Sequence, residues 1–227
     1  MSRASRFLHD NSLTLVFGTA FLLTLVGQAA SGLAEVNNQL VAADLQPVSV
    51  ADYLTGSDFA VDVTENWQSE YLQFFLYIFG TVWLLQRGSP ESKSLDQAGP
   101  ESDRDQKVGR HATADSPGWA RVGGLRRALY SRSLGAVMAL FFVGSWFSQS
   151  VTGVSAFNAE RLRGLQTPFS WSDYVFSVDF WNRTLQNWQS ELLAVASMAI
   201  LSVYLRQRGS PESKPVGSAH TSTGVEG

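Results

Sequence analysis

Two stretches of this 227-residue chain, 11–34 and 133–159, contain no Asp, Glu, Lys or Arg. Each holds an apolar run of about 20 residues, the length at which a helix crosses a hydrocarbon layer. Two shorter apolar runs, 71–86 and 192–205, each follow directly on the same five letters, NWQSE. Lipid leaves a backbone to satisfy its own hydrogen bonds, so blocks of this length select helices and exclude a closed barrel. Averages hide the pattern: 44% hydrophobic and 16% charged residues, spread evenly, would suit a soluble domain.

The four blocks are two copies of one unit. Displaced by 121 residues, positions 12–93 align with 133–214 without a gap and are identical at 29 of 82 positions. Thirteen identities fall in NWQSE (66–70 and 187–191) and QRGSPESK (86–93 and 207–214). Others are Gln28/Gln149, Gly32/Gly153, Asn37/Asn158, Pro47/Pro168, Asp52-Tyr53/Asp173-Tyr174 and Asp58-Phe59/Asp179-Phe180. Each half reads as helix, polar loop, helix. The N-terminal segment, with Arg3, Arg6 and AASGLA, resembles a secretory signal, but its counterpart at 133–153 lies in mid-chain, where no signal stands.

Basic residues set an orientation. The N-tail, the segment 87–132 and the C-tail from Arg206 hold 2, 9 and 3 Lys or Arg, 14 of the 17, whereas the loop 34–69 has none and the loop 154–190 has three. The positive-inside rule then puts both termini and the linker in the cytoplasm and both loops outside. Two helices per unit means that the units insert alike, related by an axis along the membrane normal.

These patterns predict an all-α integral membrane protein with four transmembrane helices in two parallel helix-loop-helix repeats. The first hairpin occupies 1–93, with spans at about 12–33 and 68–86, and the second 133–214, with spans at about 133–154 and 189–206. Residues 94–132 form a cytoplasmic linker, partly disordered, and 215–227 a disordered tail. At the linker's end Arg121, Arg126, Arg127 and Arg132 interleave with Trp119, Leu125, Leu129 and Tyr130, as in a stretch lying on anionic headgroups. A nucleic-acid patch is the rival reading there, and the adjacent span argues against it. Within the loops, interfacial helices are expected near Ser49–Phe59 and Ser170–Phe180.

Absence of Cys excludes disulfides, thiolate zinc sites and cysteine nucleophiles, and His9, His111 and His220 lack ligand spacing. No metal or other cofactor is expected. Three polar groups remain as candidates. Thr24, Gln28, Gly32 and Ser145, Gln149, Gly153 recur at i, i+4, i+8, a small polar helix face suited to packing in the bundle or to lining a conduit. QRGSPESK reads as a helix stop, with Gly88 and Gly209 in a left-handed turn and Ser-Pro-Glu opening the next turn. Arg87, Lys93, Arg208 and Lys214 are its candidate contacts to a lipid phosphate.

NWQSE is the third. Trp67 and Trp188 suit an interfacial aromatic belt, and Glu70 and Glu191 suit the start of a helix. Only 14 residues separate Glu191 from Arg206, and 16 separate Glu70 from Arg87, so charge must approach hydrocarbon. Asn66, Gln68, Glu70, Asn187, Gln189 and Glu191 are therefore a candidate acidic and polar site at the outer face, extended by Asp52, Asp58, Asp173 and Asp179. Anchoring and helix capping are the plainer reading of the same letters, and the site is the alternative.

The two NWQSE blocks, the two QRGSPESK blocks and FWNRTLQNWQSE at 180–191 resemble a bacterial membrane-protein family known as a domain of unknown function, numbered 6766. The resemblance covers nearly the whole chain and implies a bacterial inner-membrane setting, without an activity to carry over. The expected function is that of a non-enzymatic structural or accessory membrane protein. Its expected partners are the bilayer and its anionic cytoplasmic headgroups, and not nucleic acid. The alternative is a small cation- or proton-linked transporter or channel, for which four spans are few and a homodimer is expected. An enzyme is the weakest reading, since no nucleophile motif or phosphate loop stands in the sequence.

Overall fold

The computed structural model describes residues 2–224. Among these residues every regular element is helical: α1 (Arg3–Asp10), α2 (Ser12–Ala42), α3 (Val50–Leu54), α4 (Ser57–Gly80), α5 (Gly118–Arg121), α6 (Gly124–Tyr130), α7 (Ser133–Arg163), α8 (Trp171–Val175) and α9 (Val178–Tyr204), with one 3₁₀ turn, Gly109–His111. The repeat is physical. α2 and α7 are each 31 residues long and start and stop 121 positions apart, as do α3 and α8; α4 and α9 start 121 apart, and α9 runs longer.

The residues shared between repeats build the turn from the first helix to the second. α2 and α7 end alike: Leu45 N–H reaches Leu40 C=O and Gln166 N–H reaches Arg161 C=O, both at 2.8 Å, with Asp44 and Leu165 left-handed at φ 55°. Asn37 then clamps Val48, accepting from its N–H (2.8 Å) and donating to its C=O (3.2 Å), and Asn158 clamps Phe169 in the same way. Ser49 and Ser170 cap α3 and α8 by accepting from the N–H of Asp52 and Asp173. Finally Tyr53 and Tyr174 are buried with their hydroxyls against Gly32 and Gly153, where a Cβ would stand only 2.0 and 2.5 Å away.

Numbering runs oppositely along α4 and α7, where Tyr71 stacks on Phe141 and Ile78 faces Gly135. It runs in the same sense along α4 and α9, where Glu65 meets Arg183 and Gln68 meets Trp188. The two hairpins are thus parallel, and their tightest joint is α4 against α7, the second helix of one unit on the first helix of the next. α7 also meets α9 through aromatic contacts, Trp146 touching Phe180, Trp181 and Trp188. At position 25, equivalent to 146, the first repeat has Leu. None of the most apolar 18-residue stretch of α2 is buried.

Two helices, α2 and α7, are long and apolar enough to cross a membrane. α4 and α9 differ from them because each carries charge well into its length: Asp58, Asp62, Glu65 and Glu70 on α4, and Asp179, Arg183 and Glu191 on α9. The second helices also start earlier than the expected 68 and 189. Gly56 and Ser177 are their N-caps, and no Gly or Pro interrupts either helix before NWQSE is passed. Asn66 is therefore more than two turns inside α4, away from the helix-end dipole expected to favour Glu70 and Glu191. Helix ends at Gly80 and Tyr204 leave 81–86 and 205–206 outside regular helix. Where interfacial helices are expected in the loops, the structure has single turns of helix, α3 and α8.

The tail also departs from expectation. Residues 215–224 fold back onto the first repeat's QRGSPESK segment, with Gly224 N–H donating to Ser89 C=O (3.0 Å) and Gly88 N–H to the Thr223 hydroxyl (2.9 Å). The remaining tail residues, 225–227, lie outside the described residues.

Candidate functional site

Between the loop ends of the two repeats lies a cavity of about 340 Å³. Equivalent residues face it in pairs: Gly32 and Gly153, Tyr53 and Tyr174, Asp58 and Asp179, Gln39 and Glu160, Asp62 and Arg183. Its wall holds five carboxylates (Glu35, Asp58, Asp62, Glu160, Asp179) and two guanidiniums (Arg163, Arg183). Arg183 ties the halves together, 3.4 Å from Glu65 of the first repeat and 3.4 Å from Asp179 of its own.

Burial pushes the Asp62 carboxyl above its ordinary range, opposed by Arg183 and reinforced by Asp58. Glu65 is raised in the same way, by burial against the pull of Arg183, with Asp62 and Asp179 adding. The Tyr53 phenol is held up by burial, then by Asp62 and Asp58, and Tyr174 by burial and then Asp179. Such a wall favours a cation or a proton over an anion. Among the described residues no group of three or more His, Asp or Glu is placed to hold a metal ion.

Of the acids expected to extend the site, Asp58 and Asp179 do line this cavity, whereas Asp52 and Asp173 are engaged by the cap hydroxyls of Ser49 and Ser170 at 2.7 and 2.6 Å. Asp62, Arg183, Glu65, Glu35 and Glu160 escape a search for identical letters. Their signal is the opposite one, a charge that is reversed or missing at the equivalent position: Arg183 answers Asp62, while Ala156, Gln186 and Gln39 answer Glu35, Glu65 and Glu160.

NWQSE lies further along the same helices and forms a seam. Trp188 Nε1 donates to Gln68 Oε1 at 2.7 Å, joining the two copies. Asn66 and Asn187 bond back to the carbonyls of Asp62 and Arg183 (2.7 and 2.9 Å), and Ser69 and Ser190 to those of Asn66 and Asn187. The seam is one-sided: Gln189 is exposed, and Trp67, 40% exposed, touches Phe21 instead. Glu70 is exposed and Glu191 half-buried, and Glu191 acts electrostatically on Glu70. Neither forms an ion pair among the described residues.

Below the cavity, Gln149 and Gln68 are fully buried in the α4–α7 joint. Among the described residues, both polar atoms of the Gln149 amide and Nε2 of Gln68 have no hydrogen-bond partner. Gln28 is only half-buried.

QRGSPESK folds identically twice. Gln86 and Gln207 N–H donate to the hydroxyls of Ser92 and Ser213 (both 2.9 Å), and Gly88 and Gly209 take φ 85° and 80°. Each Lys then turns inward. Lys93 Nζ bonds Gly99 C=O at 3.0 Å and pairs with Glu101 at 3.1 Å. Lys214, 1% exposed, donates to the carbonyls of Gly88, Ala219, His220 and Ser222. Of the four candidate phosphate contacts, only Arg87 and Arg208 stand exposed.

Two parallel helical hairpins, joined by a polar seam and closed at one end over an acidic cavity, define an all-α protein built from an internal repeat. The chain belongs to the family described as a domain of unknown function (DUF6766), which it matches over residues 4–225. No curated protein and no solved structure matches it.

Proposed function

We propose that this chain is a non-enzymatic structural or accessory protein of a bacterial cell membrane, crossing it four times with both termini and the linker in the cytoplasm. The observation that carries this reading is the outward turn of the apolar side chains. Leu23 on α2 and Leu140 on α7 are 67% and 70% exposed, and Phe79 and Leu193 on the second helices 59% and 63%, while few apolar residues are buried among the described residues. In water such surface would aggregate; in lipid it is solvated. The acid-bearing first turns of α4 and α9 then belong to the outer aqueous side, and their apolar ends complete the second crossings.

The cysteine-free chain suits a direct test. A membrane-impermeant maleimide applied to intact cells is expected to label Leu165→Cys, and to label Ala114→Cys only after permeabilisation. Extraction of the protein by alkaline carbonate, or equal labelling of both sites, would sink the reading.

A second reading, cation- or proton-linked transport, is favoured by the excess of carboxylate in the paired cavity. Purified protein in liposomes is expected to show a proton or monovalent-cation flux that Asp58→Asn with Asp62→Asn abolishes. A flux unchanged by that pair would remove the cavity from any such path.

A further inference from the structure

We infer that two copies of this chain pack head to tail, α2 of one against α9 of the other, by repeating between copies the joint that α4 and α7 make within each. From α4 this joint buries Gln68, Ser69 and Leu72, and from α7 Ser145 and Gln149. Advanced by 121 residues, the α4 side becomes Gln189, Ser190 and Leu193 on α9, three identical letters that are all exposed, Leu193 at 63%. Moved back by 121, the α7 side becomes Thr24, exposed, and Gln28, half-buried. Each chain thus uses one copy of each face and leaves the other copy of each uncovered.

The α4–α7 joint runs from the second helix of one unit to the first helix of the next. In the proposed pair the unit that follows the second repeat is the first repeat of the other copy, a heterologous contact continuous with the internal one. Chemistry supports it: Gln28 and Gln189 have no side-chain hydrogen bond among the described residues, and an amide at bilayer depth gains by meeting another across a helix pair. That last step rests on the membrane reading; the match of faces does not.

The tightest ring contact of the internal joint, Tyr71 on Phe141 at 4.9 Å, maps to Leu192 and Ala20, both exposed. Ala20→Cys and Leu192→Cys, expressed together as separately tagged copies, are expected to give an oxidised dimer bearing both tags. Two copies of Ala20→Cys are expected to give none, and Leu193→Arg to abolish the mixed dimer. Absence of the mixed dimer when both variants reach wild-type membrane levels would overturn the proposal. So would a chain carrying both cysteines that cross-links only within itself, which would mean that α2 closes on its own α9. Carbonate extraction of the same membranes reports separately on membrane insertion.

Discussion

Trp188 holds Gln68 by a 2.7 Å hydrogen bond, so that the second NWQSE grips the first, and no mirror-image bond joins Trp67 to Gln189. Identical letters therefore do unequal work. Trp146 explains part of this, since it packs beside Trp188 at 5.6 Å between ring centres, while the first repeat offers Leu25 at that place.

Trp188→Phe removes the donor and leaves the buried Gln68 amide with no partner at either end, a loss of about 1–3 kcal/mol. Trp67→Phe, at a 40% exposed site, is expected to stay within about 0.5 kcal/mol. Thermal unfolding of the two variants in one detergent measures the difference, and equal losses would contradict the one-sided seam.

Gly153→Ala would put a methyl 2.5 Å from the Tyr174 hydroxyl, and Gly32→Ala one 2.0 Å from that of Tyr53. Each is expected to cost about 1–3 kcal/mol through displacement of a buried ring. Gly144→Ala, with nothing within 4 Å, is expected to stabilise α7 by about 0.5–1 kcal/mol. The same unfolding measurement ranks all three.

Lys214→Met would strip four carbonyls of their shared donor. The helices are expected to keep their circular dichroism while the segment after Pro215 becomes the first site of limited proteolysis. Lys93→Met, at a partly exposed site, is expected to leave that segment protected.

Asp62 and Glu65 bind a proton more readily folded than unfolded, because burial raises both. Between the ordinary carboxylate range and their raised values the folded state holds more protons, so stability falls as pH rises through that window. Asp173, lowered by its bonds from Ser170, acts in the opposite sense but below the ordinary range, and does not cancel it. The melting temperature is expected to be higher at mildly acidic than at neutral pH, and Asp62→Asn with Glu65→Gln to flatten that slope.

The all-α fold is legible because a repeat can be checked against itself: α2 and α7, α3 and α8 begin and end at equivalent positions. Asn37, Asp52, Tyr53 and Gly32 were visible as shared letters, yet only the folded loop shows that they make one clamp, cap and plug. NWQSE lies further along its helix than the apolar run suggests, because the helix starts in the polar stretch after Gly56 and Ser177. The cavity was half legible. Asp58 and Asp179 match, but Asp62 and Arg183 matter by differing, which identity conceals.

The docking of residues 215–224 on Gly88 and Ser89 has a consequence for biogenesis. A chain made from its N-terminus carries the first repeat's QRGSPESK turn without these partners through the synthesis of the whole second hairpin, and residues 215–224 supply them only afterwards. A C-terminal truncation or fusion thus acts on the first repeat as directly as on the second.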